Sequence, residues 1–124
     1  MREMKYGAER ICRILHKGEF KGFNFAIINY GTHPCCYVFL PEGNKYFGKT
    51  YDEIDIDCHG GLTFSEDDLI FNPLPNKDWI IGWDYAHYND YMGYYGELES
   101  YEKNKKWTTE ELFEEVKQVI EQLQ

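Results

Sequence analysis

Met4, Ala8, Ile11, Cys12 and Leu15 fall at i, i+4, i+7, i+8 and i+11, the spacing of one apolar helix face. It predicts an N-terminal helix, broken at Gly18 and Gly22. A second stripe runs through Leu112, Val116, Val119, Ile120 and Leu123 to the C-terminus. Its start is marked by Thr108-Thr109-Glu110-Glu111, a capping box with Thr108 as N-cap, flanked by Trp107 and Leu112 at the positions of a hydrophobic staple. Between these stripes the period shifts toward two. Segments 23–30 and 36–40 are rich in aromatic and β-branched residues and are separated by a turn at 31–34. Segment 54–59 alternates Ile-Asp-Ile-Asp-Cys-His, which predicts a strand with one apolar and one acidic face. A short apolar strand is predicted over 79–83, after the loop Asn72-Pro73-Leu74-Pro75-Asn76. No repeat or linker divides the chain. These elements predict one α+β domain over 1–124: a mixed or antiparallel sheet of about four strands, with N- and C-terminal helices packed on it.

Composition adjusts this picture in three ways. Apolar residues are 43% of 124, enough for a core of ordinary domain size. Aromatics reach 18%, with 11 Tyr and 8 Phe, and tyrosine serves core edges, subunit contacts and ligand sites alike. Net charge is −9, divided into +3 over 1–41 and −12 over 42–124. A long polyanion is repelled by such a chain, so duplex nucleic acid is not the expected partner. A small anion still finds a basic patch near the N-terminal segment.

The longest apolar runs, such as Cys35-Cys36-Tyr37-Val38-Phe39-Leu40, are too short to span a membrane. The opening Met1-Arg2-Glu3-Met4-Lys5 has no apolar signal-peptide core. Cys12, Cys35, Cys36 and Cys58 show neither C-x-x-C spacing nor a secreted framework, which suits reduced thiols in a cytoplasm.

Two clusters place polar groups where strands are expected to end. In the first, Asp55, Asp57 and His59 share one face by period-two spacing, and Gly60 and Gly61 follow. Two glycines open backbone angles closed to other residues, and their amides can converge on an anion. The same pair also suits a tight turn. Thr63 and Ser65 add hydroxyl donors at alternate positions. The second cluster is Trp79-Ile80-Ile81-Gly82-Trp83-Asp84-Tyr85-Ala86-His87, which exposes Asp84 and His87 at the carboxyl end of its strand. Trp83 or Tyr85 is positioned to stack on a base. The plainer alternative makes Trp83 a core residue and has Asp84 close a turn onto His87.

Other chemistries share these residues. His59, Asp84 and His87, with Asp57 as a fourth group, have the composition of an open metal site, which gives a small metal-dependent hydrolase as one alternative. Cys58 beside His59 has the composition of a nucleophile and base, but strand neighbours point to opposite faces. An acidic inhibitor occupying a basic groove on a host factor is a further alternative, carried by the acidic 97–121 region.

The stretch from Tyr37 to His87 resembles a family of small bacteriophage and mobile-element proteins. The resemblance rests on Tyr37-Val38 before Pro41, Gly48-x-x-Tyr51-Asp52, His59-Gly60-Gly61-Leu62-Thr63-Phe64-Ser65 and Gly82-Trp83-Asp84-Tyr85-Ala86-His87. This chain departs at Tyr85, where cysteine is usual, and after His87, where Tyr88-Asn89-Asp90 replaces a tighter Gly-Asp. The resemblance implies action on host machinery, in the manner of sponges that sequester cyclic nucleotide signals of antiphage defence and hold them between subunits. The leading expectation is therefore non-catalytic capture of a small anionic ligand, a cyclic dinucleotide or related signal, by a homo-oligomer in the host cytoplasm. His59, Gly60 and Gly61 face phosphate, Thr63 and Ser65 donate hydrogen bonds, Trp83 or Tyr85 stacks, and Asp84 accepts from a base edge or fixes His87. No cofactor and no resident metal enter this reading.

Overall fold

A computed structural model of the chain describes residues 3–6, 10–29, 33–69, 78–86 and 107–124, with backbone alone for 3–6 and 10–12. Where an N-terminal helix was expected, two strands form instead. β1 (Glu3–Tyr6) pairs antiparallel with β2 (Arg10–Phe20), and β2 turns back into β3 (Phe23–Asn29). The turn is Lys21-Gly22, with φ of 51° and 88°, closed by the pair Phe20 and Phe23. Positive φ at both central residues gives the turn whose twist matches that of the strands it joins. The register of β2 slips between Ile14 and His16. Such a bulge shifts side-chain alternation by one residue: Ile14 pairs with Ile28 on one face, while Leu15 packs against the core of the other.

β3 and β4 (Pro34–Leu40) form where strands were expected, as does β6 (Trp79–Asp84). A short strand that the pattern did not announce, β5 (Phe64–Glu66), pairs with β6. Among the described residues the sheet has six strands in the order β1-β2-β3-β4-β6-β5, and every neighbouring pair is antiparallel. With the C-terminal helix α1 (Thr109–Gln122) the class is α+β.

α1 begins as its sequence predicts. The Thr108 hydroxyl accepts from the Glu111 amide at 3.1 Å, and the Glu111 carboxylate accepts from the Thr108 amide at 3.0 Å. Leu112, Val116, Val119 and Ile120 are fully buried against Phe25, Ile27, Cys36, Val38, Leu40, Ile81 and Trp83 of the sheet. The other sheet face carries Ala26, Ile28, Cys35, Tyr37, Phe39 and Ile80, also buried. Among the described residues, no helix is long and apolar enough to cross a membrane.

Segment 54–59 is not a strand. A single 3₁₀ turn, Tyr51–Glu53, leads into an extended stretch without a ladder partner. Burial still alternates, with Ile54 and Ile56 inside and Asp55 and Asp57 exposed. Backbone partners come from helix side chains. Gln122 accepts from the Asp57 amide at 2.7 Å and donates to its carbonyl at 2.8 Å, acting as a neighbouring strand would.

Candidate functional site

The stretch held by Gln122 runs into a turn at His59 and Gly60. The Gly61 amide donates to the Cys58 carbonyl at 2.9 Å, and Gly60 and Gly61 have φ of 70° and 84°, angles that glycine adopts freely. The amide of His59 donates to the Glu115 carboxylate of α1 at 2.7 Å. The other oxygen of that carboxylate accepts a hydrogen bond from the Tyr85 hydroxyl, which in turn accepts from the Trp83 indole N–H at 3.1 Å. The His59 ring lies parallel on Tyr85, with centroids 4.5 Å apart and planes inclined by 13°, and meets Trp107 edge-on at 5.0 Å. Burial first, then the neighbouring Cys36 thiol and the Glu115 contact, keep the Tyr85 hydroxyl protonated far above its ordinary range. One carboxylate thus ties α1 to the turn and to the end of β6.

On the opposite sheet face, the end of β6 borders a hollow of about 220 Å³, lined by Cys35, Tyr37, Thr63, Phe64, Trp83 and Asp84. The Thr63 hydroxyl donates to Asp84 Oδ2 at 3.1 Å, the Ala86 amide donates to Oδ1 at 3.2 Å, and the Thr63 amide donates to the Gly82 carbonyl at 2.9 Å. Tyr37 and Phe64 meet edge to face, 5.3 Å between centroids. Gly82 makes their approach possible: a Cβ there would stand 2.6 Å from Tyr37 Cδ1 and 2.9 Å from the Cys36 carbonyl oxygen. The Cys35 thiol in this lining is pushed up to about 12, by burial and then by Asp84.

The two sequence clusters therefore meet, through His59 on Tyr85 and Thr63 on Asp84, although residues 54–59 form no strand. Several expected roles change. Trp83 and Tyr85 are 1% and 0% exposed beneath α1, so neither has an open ring face on which a base can stack. The Gly61 amide is committed to the turn, and the backbone N–H that meets an anion is that of His59, with Glu115 as the anion. The Ser65 hydroxyl oxygen accepts from the Tyr51 amide at 3.0 Å, which ties β5 to the 3₁₀ turn. His87 lies outside the described residues. Among the described residues, no three His, Cys, Asp or Glu side chains are grouped to hold a metal. Cys58 sits beside His59 in sequence, but its thiol is pushed up to about 12 by burial and by Glu115 and Asp57, which suppresses the nucleophilic thiolate.

Glu115, Trp107, Tyr37 and Phe64 complete the site; from sequence Trp107 was expected only as a staple residue, Tyr37 and Phe64 only as motif members, and Glu115 not at all. Glu115 carried a signal: it lies at i+3 from Leu112 and i−4 from Val119, so its carboxylate borders the buried face of α1. Comparison with protein families, curated proteins and solved structures finds no match to this chain.

Proposed function

We propose that this chain captures a small anionic ligand of the cyclic dinucleotide class without turning it over, as a phage-type counter-defence sponge. The observation that carries the reading is the Thr63–Asp84 hydrogen bond at the rim of the hollow, which joins the two motif segments. A carboxylate at this position repels phosphate and suits the N–H donors of a base edge. The hollow is thus the base end of the site, and the half-buried Phe64 ring takes the flanking part that Trp83 and Tyr85, being buried, do not. The His59 turn is not part of this lining: its amide is held by Glu115 on the α1 side of the sheet.

At about 220 Å³ the hollow is smaller than pockets that enclose a drug-sized ligand, roughly 300–1,000 Å³. It has the size for one ring system. A dinucleotide seated there presents its second base outward, toward a second copy of the chain, which is the basis for a homo-oligomer. Burial pushes the thiols of Cys35 and Cys58 up to about 12, so neither offers a thiolate nucleophile.

The test is a thermal-shift panel of cyclic dinucleotides, followed by heat release and mass analysis of the ligand. A binder raises the melting temperature through its preference for the folded state and is recovered intact, while Asp84→Ala abolishes the shift. No shift with any nucleotide overturns the reading, and recovery of a cleaved product overturns its non-catalytic part.

A further inference from the structure

The turn that was expected to receive an outside anion already holds one. The Glu115 carboxylate takes the His59 amide with one oxygen and the Tyr85 hydroxyl with the other, beside the His59 ring. Backbone N–H and phenolic O–H donors converging on a single carboxylate form an oxyanion receptor, since a carboxylate and a phosphate oxygen pair accept in the same way. Tyr85 is fixed in its donor position by burial and by the Trp83 indole behind it. The donors are therefore built into the sheet end and the turn, and the occupant is the only part carried by another element. Glu115 is partly exposed, while its helical neighbours Leu112, Val116 and Val119 are fully buried. Its side chain can change rotamer without lifting α1 from the sheet.

We propose that the His59 amide and the Tyr85 hydroxyl are an oxyanion receptor held closed by Glu115, and that a phosphate or carboxylate group enters by displacing this side chain. The receptor is testable without any nucleotide. A resident carboxylate lowers the apparent affinity for an incoming anion, because the empty receptor is then only a minor state. It also discriminates, since weak anions fail to displace it.

The experiment titrates inorganic phosphate and formate into wild type, Glu115→Ala and Glu115→Gln at constant ionic strength, with chloride as control, and follows the melting temperature. Glu115→Ala leaves the donors facing an empty receptor. It is expected to melt lower than wild type and to recover with phosphate or formate at a half-effective concentration at least ten-fold below any wild-type response. Glu115→Gln retains the volume and one acceptor, so it secures a folded variant should Glu115→Ala not fold, and its response is expected between the other two. Responses of both variants equal to wild type, or equal to chloride, overturn the proposal. Anion recovery in a protein that no cyclic dinucleotide shifts supports the receptor and removes the capture reading. Nucleotide capture with no anion recovery does the reverse.

Discussion

Replacing Gly82 by alanine adds one methyl group at the most crowded point of the sheet. Gly82 pairs with Tyr37 on one side and Phe64 on the other, and the Tyr37 ring lies over it. The added Cβ would stand 2.6 Å and 2.9 Å from two atoms of that ring and 2.9 Å from the Cys36 carbonyl oxygen. Contacts under 3.0 Å require movement. Tyr37 is only 6% exposed and Phe64 stands against it, and the carbonyl belongs to the backbone of a central strand. Overpacking of this kind costs about 1–3 kcal/mol, and the backbone contact places Gly82→Ala toward the upper end. For a chain of 124 residues that corresponds to a fall in melting temperature of roughly 4–12 °C. Gly18→Ala is the matched control: its Cβ would meet the Phe25 ring at 3.5 Å, an ordinary contact, and should change stability by less than about 0.5 kcal/mol. Calorimetry of the two variants, with Tyr37→Leu and the Tyr37→Leu/Gly82→Ala double variant to measure coupling, decides the matter. Equal melting temperatures for the two alanine variants, or strict additivity in the double variant, would refute the packing argument.

Tyr85→Phe removes the acceptor of the Trp83 indole, itself 1% exposed, and a donor to Glu115. A loss of about 1–3 kcal/mol is expected in denaturant unfolding with an unchanged m-value, and a change below about 0.5 kcal/mol would count against the network. Alkali should also destabilise the fold. Burial pushes the Cys35 thiol from 9.0 to about 12 and holds Cys36 well above its ordinary value. The native state therefore keeps protons that the unfolded chain releases, and this stability is complete below about pH 9 and declines as pH rises toward 12. Each fully buried thiol contributes a slope of about 1.4 kcal/mol per pH unit in that window. Under reducing conditions Cys36→Ala should flatten the decline by about that amount, and a slope identical to wild type would dismiss the thiols as its source.

Much of the architecture was legible because its local signals agree with its tertiary contacts. The Thr108 capping box, the stripe of α1 and the apolar runs of β3, β4 and β6 all form where pattern places them. The N-terminal misreading has a definite cause. Met4, Ala8, Ile11, Cys12 and Leu15 have helical spacing, but residues 3–6 and 10–20 pair as strands, and the ladder outweighs the local pattern. A counter-signal was present in Phe20-Lys21-Gly22-Phe23, a glycine-bearing dipeptide between two aromatic residues, which is hairpin chemistry. Gly22 was a turn in a hairpin, not the stop of a helix.

The two sequence clusters come together in the structure, but their wiring was not legible. Period two in 54–59 correctly marked Ile54 and Ile56 as buried and Asp55 and Asp57 as exposed, because alternation reports an extended chain against a core. It does not report what satisfies the backbone, and here side chains of α1 take the place of a strand. The glycine pair likewise marked a turn beside an anion, but spacing carries no label for whose anion. Residue 115 is 56 positions from residue 59, and a helix was needed to bring them together. The same carboxylate that hides the receptor from a sequence reading makes it testable, since removing Glu115 takes the shared acceptor from the His59 amide and the Tyr85 hydroxyl while both donors stay in place.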